Sequence, residues 1–353
     1  MTGKKNILFI VNPISGTLKK TGVEKVVGSA VDTSAFDYSV VTTRYGGHAF
    51  EMASDAVNKG FDAVVAVGGD GTVNEVGRAV ARSATALGVI PCGSGNGLAR
   101  HLMLPMDIGK AVEVINKFTV HELDYGVIND MPFFCTCGMG FDAFISMKFA
   151  EAGKRGPITY LENILREGLK YRPETYEIED GSGTFLNKAF LISCANASQY
   201  GNNAYIAPRA SMSDGLLDVV VMEPFDVLEA PQLSIDMFNK TLDKNPNIKT
   251  FKTERIHVHR EKAGFVHCDG DPVMTGADVE VAVVHKGIRI IVNPAAEKTK
   301  RQPNVMQTAF SVFFNDIINT LVDKRHSPLP AKTILKKFNK MLSPGEEQSD
   351  SGK

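Results

Sequence analysis

The sequence has no long hydrophobic run. No stretch approaches the roughly 20 consecutive apolar residues that a membrane-spanning helix needs. Near the N-terminus two lysines precede a short apolar run, 7–11, which Asn12 and Pro13 then end. Such a run is too short for the apolar core of a signal peptide. We therefore expect a cytoplasmic protein that does not span a membrane.

The sequence also lacks an excess of basic charge. Its 39 lysines and arginines are balanced by 40 aspartates and glutamates, which gives a formal net charge of -1. General nucleic-acid binders are normally basic overall, so we expect no nucleic-acid partner. With 353 residues, 43% of them apolar and 22% charged, the chain is typical of a soluble globular protein with two domains.

Cysteine is scarce as well. The five cysteines are an odd and scattered set, which fits a reducing compartment. Cys135 and Cys137 would share one face of a strand, but no second pair and no group of histidines completes a zinc site. We interpret the cysteines as buried packing residues.

The first third of the chain alternates between strand and helix patterns. Apolar runs predict buried strands, and residues spaced by three and four predict helices between them. The predicted strands are 6–11, 36–41, 62–67 and 86–90, and the predicted helices are 23–31, 48–59 and 72–82. This alternation is typical of a parallel sheet covered on both faces. Residues 1–126 are therefore predicted to form a doubly wound α/β nucleotide-binding domain.

The pattern changes after residue 124. Short alternating segments follow one another around Gly, Asn and Asp turns, as in antiparallel sheets, with one helical segment at 156–170. We predict that residues 127–290 form a β-sandwich domain that takes the substrate. Residues 291–353 are predicted to pack back on the first domain, chiefly through an apolar helix at 309–322, and to end in a disordered tail.

Glycine-rich segments follow three of the predicted parallel strands. They are residues 12–16, 68–72 and 93–97. The carboxyl ends of parallel strands form the crevice where α/β proteins bind ligands. Glycines there let backbone N–H groups approach phosphate oxygens, and the following helix N-termini add a favourable dipole. Each segment alone could be an ordinary turn, but three at one sheet edge favour a nucleotide site.

Asp70 lies inside the second of these segments. A carboxylate beside a phosphate-binding loop is unfavourable unless a cation lies between them, and Mg²⁺ is the usual one. Asp70 could instead cap the helix that follows, and Glu75 in the first turn of that helix has the same ambiguity.

Two further carboxylate pairs lie in the predicted β domain. In "HCDGDPV", Asp269 and Asp271 flank Gly270, and mutual repulsion could raise the pKa of one of them so that it acts as a base. The alternative is an Asp-Gly hairpin turn. In "SMSDGLLDV", Asp214 and Asp218 are either turn residues or metal ligands.

Taken together, these motifs resemble the diacylglycerol kinase catalytic-domain family, which includes bacterial lipid kinases, sphingosine kinases and ceramide kinases. The resemblance covers nearly the whole chain. Its motifs, in family order, are "VNPISG", "TTRYGGHAFEMA", "VGGDGTVNEV", "PCGSGNGLARHL", "GMGFDA", "APRASMSDGLLDVVV" and "HCDGDPV". "GGDGT" alone also occurs in NAD kinases, so it is the combination that is specific.

The resemblance implies roles for particular residues. Ser211, Asp214 and the carbonyl of Leu216 match a structural Mg²⁺ site of the bacterial members. The resemblance and the glycine segments together give the following candidate ATP-binding residues: Asn12, Pro13, Ser15, Gly16, Thr43, Gly69, Asp70, Gly71, Thr72, Asn74, Glu75, Gly93, Ser94, Gly95 and Asn96.

The candidate general base is Asp271, which matches the proton acceptor of the bacterial members. Those members usually read Asp-Gly-Glu, whereas this chain reads Asp-Gly-Asp, so its side chain is shorter by one methylene. The role could instead be shared with Asp269. It could also fall to Asp70, which matches a proposed base in the sphingosine kinases.

The resemblance implies an ATP- and Mg²⁺-dependent lipid kinase that phosphorylates the primary hydroxyl of diacylglycerol, a sphingoid base or ceramide. The alternatives are an NAD kinase-like enzyme that acts on a soluble nucleotide and a regulator that binds lipid or nucleotide without turnover. A lipid substrate requires transient contact with the inner face of the membrane, for which the basic segment 334–342 is a candidate. That segment could equally pack on the first domain. The sequence does not determine whether the protein forms a homodimer.

Overall fold

In the computed structural model, the described residues are 3–15, 20–152, 171–226 and 229–296. The predicted helices at 156–170 and 309–322, the basic segment and the tail lie outside these ranges.

The first domain is built on four parallel strands in the order β2-β1-β3-β4. The strands are β1 Lys5–Val11, β2 Phe36–Thr42, β3 Ala63–Gly68 and β4 Ala86–Pro91. The helices are α1 Lys20–Ala30, α2 His48–Asn58, α3 Asp70–Val80, α4 Gly97–His101 and α5 Ile108–Lys117. Helix α1 packs with α5 and α2 packs with α3, so helices cover both faces of the sheet. The doubly wound prediction is confirmed.

The apolar runs that predicted β3 and β4 are buried along their whole length. Each strand lies between helices on both faces, so no position along it meets water. Phe9, Ile10 and Leu87 are among the largest fully buried side chains of this core.

The second domain packs two sheets face to face. Its strands are β5 Val120–Ile128, β6 Met131–Phe133, β7 Thr136–Gly140, β8 Glu174–Asp180, β9 Gly183–Ala189, β10 Leu191–Ala195, β11 Leu217–Met222, β12 Ile248–Thr253, β13 Arg255–Arg260, β14 Gly264–Cys268, β15 Asp271–Thr275 and β16 Asp278–Ile291. Six of them form an antiparallel sheet in the order β12-β11-β10-β7-β14-β15. A core that includes Tyr176, Ile192, Val219 and Val258 fills the space between the sheets. The predicted β-sandwich is confirmed.

Strand β16 joins the two domains. It is one long strand with a register shift between Val284 and Ile288. Its first half pairs with β13, and its end pairs with β4 of the first domain through Ile290 and Leu87. The sheet of the first domain therefore continues into the sandwich as ten hydrogen-bonded strands. The proposed division at residue 126 falls inside β5 and stays a prediction.

Several elements had no expectation from the sequence, among them α5, strand β12 and helix α7, Ala230–Asn239. Helices α6, Phe141–Ala152, and α7 cover the outer face of the antiparallel sheet, where Phe141, Ile145 and Leu233 belong to one apolar cluster. Within the described residues, no helix combines the length and apolar character needed to cross a bilayer.

Candidate active site

The glycine segments after β1, β3 and β4 meet at one edge of the parallel sheet. The hydroxyl of Ser15 accepts a hydrogen bond from the backbone N–H of Gly69 at 3.3 Å. A Cβ atom on Gly93 would lie 2.5 Å from the Cα of Gly69, so these two backbones approach as only glycines allow. The side chain of Asn12 donates to the hydroxyl of Thr72 at 3.0 Å. The predicted loop cluster is therefore present, although Gly16 lies outside the described residues.

The third segment is closed by its own asparagine. Asn96 has a positive φ of 53°, and its side chain accepts from Gly93 N at 2.9 Å and donates to Gly93 O at 2.8 Å. Between them, Ser94 is exposed at the tip of the turn. Asn96 thus holds the shape of the loop, whereas Ser94 is placed to contact a ligand.

Asp70 ties the second segment to the third. Its two carboxylate oxygens accept from the backbone N–H groups of Asn96 at 2.9 Å and Gly97 at 2.7 Å. Asp70 therefore supports the N-terminus of α4, and the capping of its own helix that the sequence left open does not occur. Gly69 is the N-cap residue of α3, with no side-chain bond. Burial raises the pKa of Asp70, although the two N–H donors oppose the effect.

Two other candidate ATP ligands of α3 bind protein groups instead. The carboxylate of Glu75 accepts from the N–H groups of Gly47 at 2.9 Å and Ala49 at 3.0 Å, which caps the start of α2. The side chain of Asn74 donates to Asp269 of the second domain at 2.8 Å. Both residues therefore support the site through hydrogen bonds to other protein groups. Thr43 is buried, and its N–H donates to Val11 O.

The turn between β14 and β15 brings the second carboxylate pair to the same site. Asp269 and Gly270 have φ values of 49° and 90°, as in the two-residue Asp-Gly hairpin turns of type I′. The hairpin alternative from the sequence is therefore correct as a description of the backbone. Because Asn74 of α3 binds Asp269, this turn lies against the helix that begins at the second glycine segment.

Asp269 and Asp271 differ in environment. The carboxylate of Asp269 accepts from the backbone N–H groups of Phe134 at 2.9 Å, Cys135 at 2.8 Å and Thr136 at 3.2 Å, besides Asn74. Burial raises the pKa of Asp269, and these donors oppose the effect. Asp271, at the start of β15, is exposed. Asp269 therefore anchors the turn, while Asp271 is accessible to a substrate.

A buried polar network supports this turn from below. The ring of His267 lies 2.8 Å from an oxygen of Asp142, and its other nitrogen accepts from the N–H of Gly270 at 3.3 Å. The hydroxyl of Tyr200 donates to the same Asp142 oxygen at 2.7 Å. Sequence reasoning missed all three residues. "GMGFDA" and "HCDGDPV" contain two of them, but nothing in either motif shows that they meet.

The charge of His267 depends on this network. Burial would lower the pKa of His267, but the Asp142 carboxylate and the more distant Asp269 and Asp271 outweigh it and raise the pKa above its usual value. A protonated His267 would be paired with Asp142, and a neutral one can still accept from Gly270 and donate to Asp142.

The residues of the implied structural Mg²⁺ site lie together in the loop before β11. Leu216 N donates to one oxygen of Asp214 at 3.2 Å, and the hydroxyls of Ser211 and Ser213 lie 3.1 Å apart. The ammonium of Lys252 contacts the other Asp214 oxygen at 2.7 Å. A positive charge thus already pairs with the carboxylate of the implied site, which does not fit a divalent ion there. Over the described ranges, no group of three or more His, Cys, Asp or Glu side chains is arranged to hold a metal.

The cysteines are packing residues, as the sequence indicated. All five are buried and free, and Cys137, Cys194 and Cys268 lie in the core of the sandwich.

The fold and the site define a class of two-domain proteins, in which an α/β domain with glycine loops shares a sheet with a β-sandwich. The model of the family described as "Diacylglycerol kinase catalytic domain" matches residues 6–128, and that of the "YegS C-terminal NAD kinase beta sandwich-like domain" matches residues 136–301. Together the two matches cover most of the chain. It belongs to the diacylglycerol kinase catalytic-domain family.

Similar proteins carry related names. The chain is 26% identical over 273 residues to the "Diacylglycerol kinase" of Bacillus subtilis, covering 76% of this chain and 90% of that protein. It is 28% identical over 270 residues to the "Probable lipid kinase YegS-like" of Chromohalobacter salexigens, covering 75% and 86% respectively. An uncharacterized protein of Synechocystis is 30% identical over 234 residues, 64% of this chain, and the chain spans 54% of its length.

The fold itself has a solved counterpart. A crystal structure of a diacylglycerol kinase from Bacillus anthracis superposes with a TM-score of 0.67 and 22% identity, covering 84% of this chain and 100% of that one. At this identity the likeness concerns the fold alone.

Proposed function

We propose that this protein is an ATP-dependent lipid kinase that transfers the γ-phosphoryl group to the primary hydroxyl of a membrane lipid, either diacylglycerol or a sphingoid base or ceramide. The observation that carries the proposal is the meeting of three glycine segments with the Asp269–Asp271 turn at one edge of the sheet. Phosphoryl transfer requires mainly positioning and electrostatic stabilisation. Here the helix that follows the second glycine segment contacts, through Asn74 and Asp269, the turn that precedes the exposed Asp271, and this supports the proposal. The names of the relatives support a kinase.

ATP would lie across the glycine segments. Gly71 and Gly95 would offer backbone N–H groups to phosphate oxygens, and the N-terminus of α3 would add its dipole. Gly69 and Gly93, whose N–H groups bind Ser15 and Asn96, would serve by letting the two loops approach each other. The exposed Ser94 would contact the nucleotide directly, whereas Asn74, Glu75 and Asn96 would act by holding the loops. The remaining candidates, Asn12, Pro13, Ser15, Gly16, Thr43 and Thr72, would line the same edge.

Asp271 is the best candidate for the general base. A base must reach the hydroxyl that it deprotonates, and Asp271 is the exposed member of its pair. Asp269 accepts four hydrogen bonds, which stabilise its charge and occupy its oxygens. Asp70 accepts two N–H groups and keeps one lone pair free on each oxygen, which suits a ligand of a cation better than a base.

The surroundings of Asp70 fit a Mg²⁺ ion that arrives with ATP. Within the described part of the chain, neither Asp70 nor Asp269 forms an ion pair with lysine or arginine. The negative charge of Asp269 also makes the ionised form of Asp70 less favourable. Mg²⁺ is usually held by one or two carboxylates together with substrate phosphates, and it would neutralise charge on the phosphates. Asp70 would be its protein ligand.

The proposal requires transient contact with the inner face of a membrane, where the lipid lies. The basic segment 334–342 would be attracted to anionic lipid, by about 1 kcal/mol for each basic residue near the surface.

The test is transfer of label from γ-labelled ATP to lipids in mixed micelles, followed by organic extraction. The panel holds diacylglycerol, monoacylglycerol, sphinganine, ceramide and an undecaprenol-like alcohol, with NAD in buffer as a separate arm. We expect one labelled product in the organic phase. Label only on NAD would replace the proposal with an NAD kinase-like activity. Nucleotide binding without any labelled product would replace it with a regulator.

A further inference from the structure

We propose that Lys252 is the resident cation of the 211–218 segment, and that this segment is stabilised by the lysine's own ammonium instead of by a structural Mg²⁺. The inference concerns the folded chain without nucleotide, so it does not depend on the proposed activity.

The contacts define a cation site with a lysine in it. The Nζ of Lys252 lies 2.7 Å from an oxygen of Asp214 and 3.1 Å from an oxygen of Asp218. The Asp218 side chain is only 12% exposed, so its charge needs a partner close by. One ammonium between two carboxylates supplies that partner.

The sheet fixes the lysine in this position. Lys252 of β12 lies directly opposite Asp218 of β11 in the antiparallel register. Side chains of directly opposed residues project from the same face of a sheet, so the pairing follows from the backbone. Asp214 lies in the loop that leads into β11, and its second oxygen accepts from Leu216 N at 3.2 Å. Both oxygens of Asp214 are therefore engaged.

Charge and coordination both disfavour Mg²⁺ here. A divalent ion next to Asp214 would lie against the ammonium, and the two positive charges would repel. Mg²⁺ also needs near-octahedral oxygen ligands at about 2.0–2.1 Å and loses its water reluctantly.

The first experiment measures thermal unfolding of the full-length, nucleotide-free protein in EDTA and in millimolar MgCl₂ at matched ionic strength. Because the chain has no tryptophan, unfolding is followed by circular dichroism. We expect the Tm of the wild-type protein to be the same in both buffers. Lys252→Met should lower the Tm in EDTA by about 3 °C. MgCl₂ should restore much of this loss, because the two carboxylates then have no internal cation.

The matched control is Lys249→Met on the same strand. Lys249 pairs with Glu223 at 2.6 Å, and this exposed pair offers no second carboxylate to a metal. MgCl₂ should not rescue this variant. Adding Asp214→Asn to Lys252→Met should remove the rescue.

Two outcomes would overturn the proposal: a wild-type Tm that rises in MgCl₂ as much as that of Lys252→Met, or no rescue of the variant at all. Binding of Mn²⁺, followed by electron paramagnetic resonance without nucleotide, is an independent measurement on folded wild-type protein. Absence of a tight site there supports the proposal, and a stoichiometric site abolished by Asp214→Asn contradicts it.

Discussion

Asp271 and Asp130 both lie at antiparallel hairpins, Asp271 as the first residue of β15 and Asp130 as the second residue of its turn. Both are exposed, and the turn that precedes Asp271 is held against α3 by the hydrogen bond from Asn74 to Asp269. Asp271→Asn should lower the rate of lipid phosphorylation at least about 100-fold, because a positioned base contributes about 10²–10⁴-fold. Asp271→Glu, which restores the residue usual in the bacterial members, should stay active. The measurement is initial rate at saturating ATP.

Asp130→Asn is the control for Asp271→Asn, since Asp130 is exposed and asparagine tolerates a positive φ. It should phosphorylate at the wild-type rate. If Asp271→Asn is also within a few-fold of wild type, Asp271 is not the base.

His267 makes stability depend on pH. Its pKa is raised in the folded state, since Asp142 favours the charged form more strongly than burial opposes it. Its stabilising contribution is therefore fully present below the ordinary pKa of about 6.5 and is lost as pH rises through the raised folded-state pKa. We expect the free energy of unfolding to fall between pH 6 and pH 8, and His267→Gln to flatten this dependence.

The pH dependence is measured by urea unfolding at each pH. His121→Gln, at an exposed position of β5, is the control and should keep the wild-type slope. Equal slopes for His267→Gln and wild type would show that the network with Asp142 does not favour the charged ring.

At the scale of elements, the glycine segments contain two kinds of position: glycines packed against other protein atoms and glycines with open space beside them. A methyl group on Gly93 would meet the Cα of Gly69 at 2.5 Å and the Asn96 oxygen at 2.9 Å, whereas one on Gly71 would meet nothing within 4 Å. Gly93→Ala should therefore cost about 1–3 kcal/mol of stability and weaken ATP binding. Gly71→Ala should keep the wild-type Tm and weaken ATP binding alone, because its methyl would lie where phosphate approaches.

The two alanine variants are compared by thermal unfolding and by calorimetric titration with MgATP. A stable Gly93→Ala protein would mean that the two backbones move apart easily. Unchanged ATP affinity in Gly71→Ala would place the phosphates elsewhere.

The sequence predicted the elements whose signals are local. Strands β3 and β4 are continuous apolar runs, and a glycine segment follows each of them directly. The Asn and Asp turns that the sequence indicated include Asn129-Asp130, where both residues have a positive φ. Helix α7 and strand β12 had no comparable pattern, because their apolar residues pack against strands that are distant in the sequence.

The parts of the site that were missed depend on long-range pairing. Lys252 reaches Asp214 only because β12 pairs with β11 in one register. His267 meets Asp142 across a separation of 125 residues. No local pattern encodes such a contact, since it arises when the sandwich closes. Asn74 and Glu75 were identified as site residues, but their partners, Asp269 and the start of α2, could not be read from the motif.

At the scale of the whole molecule, β16 belongs to both cores. Val279 and Val281 pack in the sandwich, while Ile288 and Ile290 pack in the core of the first domain. We therefore expect the two domains to unfold together. Differential scanning calorimetry should show one transition whose calorimetric and van't Hoff enthalpies agree. Two resolved transitions would show that the shared strand does not couple the cores.

The shared strand also limits how this chain can be recombined. A fragment ending near residue 126 would leave β4 without its neighbour, exposing the edge of a strand that is apolar along its whole length. Exposed apolar edges invite pairing between molecules, so such a fragment would aggregate. Exchanging the second half between relatives, for instance to transfer lipid preference, would need to carry β16 and β4 as a matched pair. The two domains differ in sequence pattern, but they share one strand and therefore have to be exchanged together.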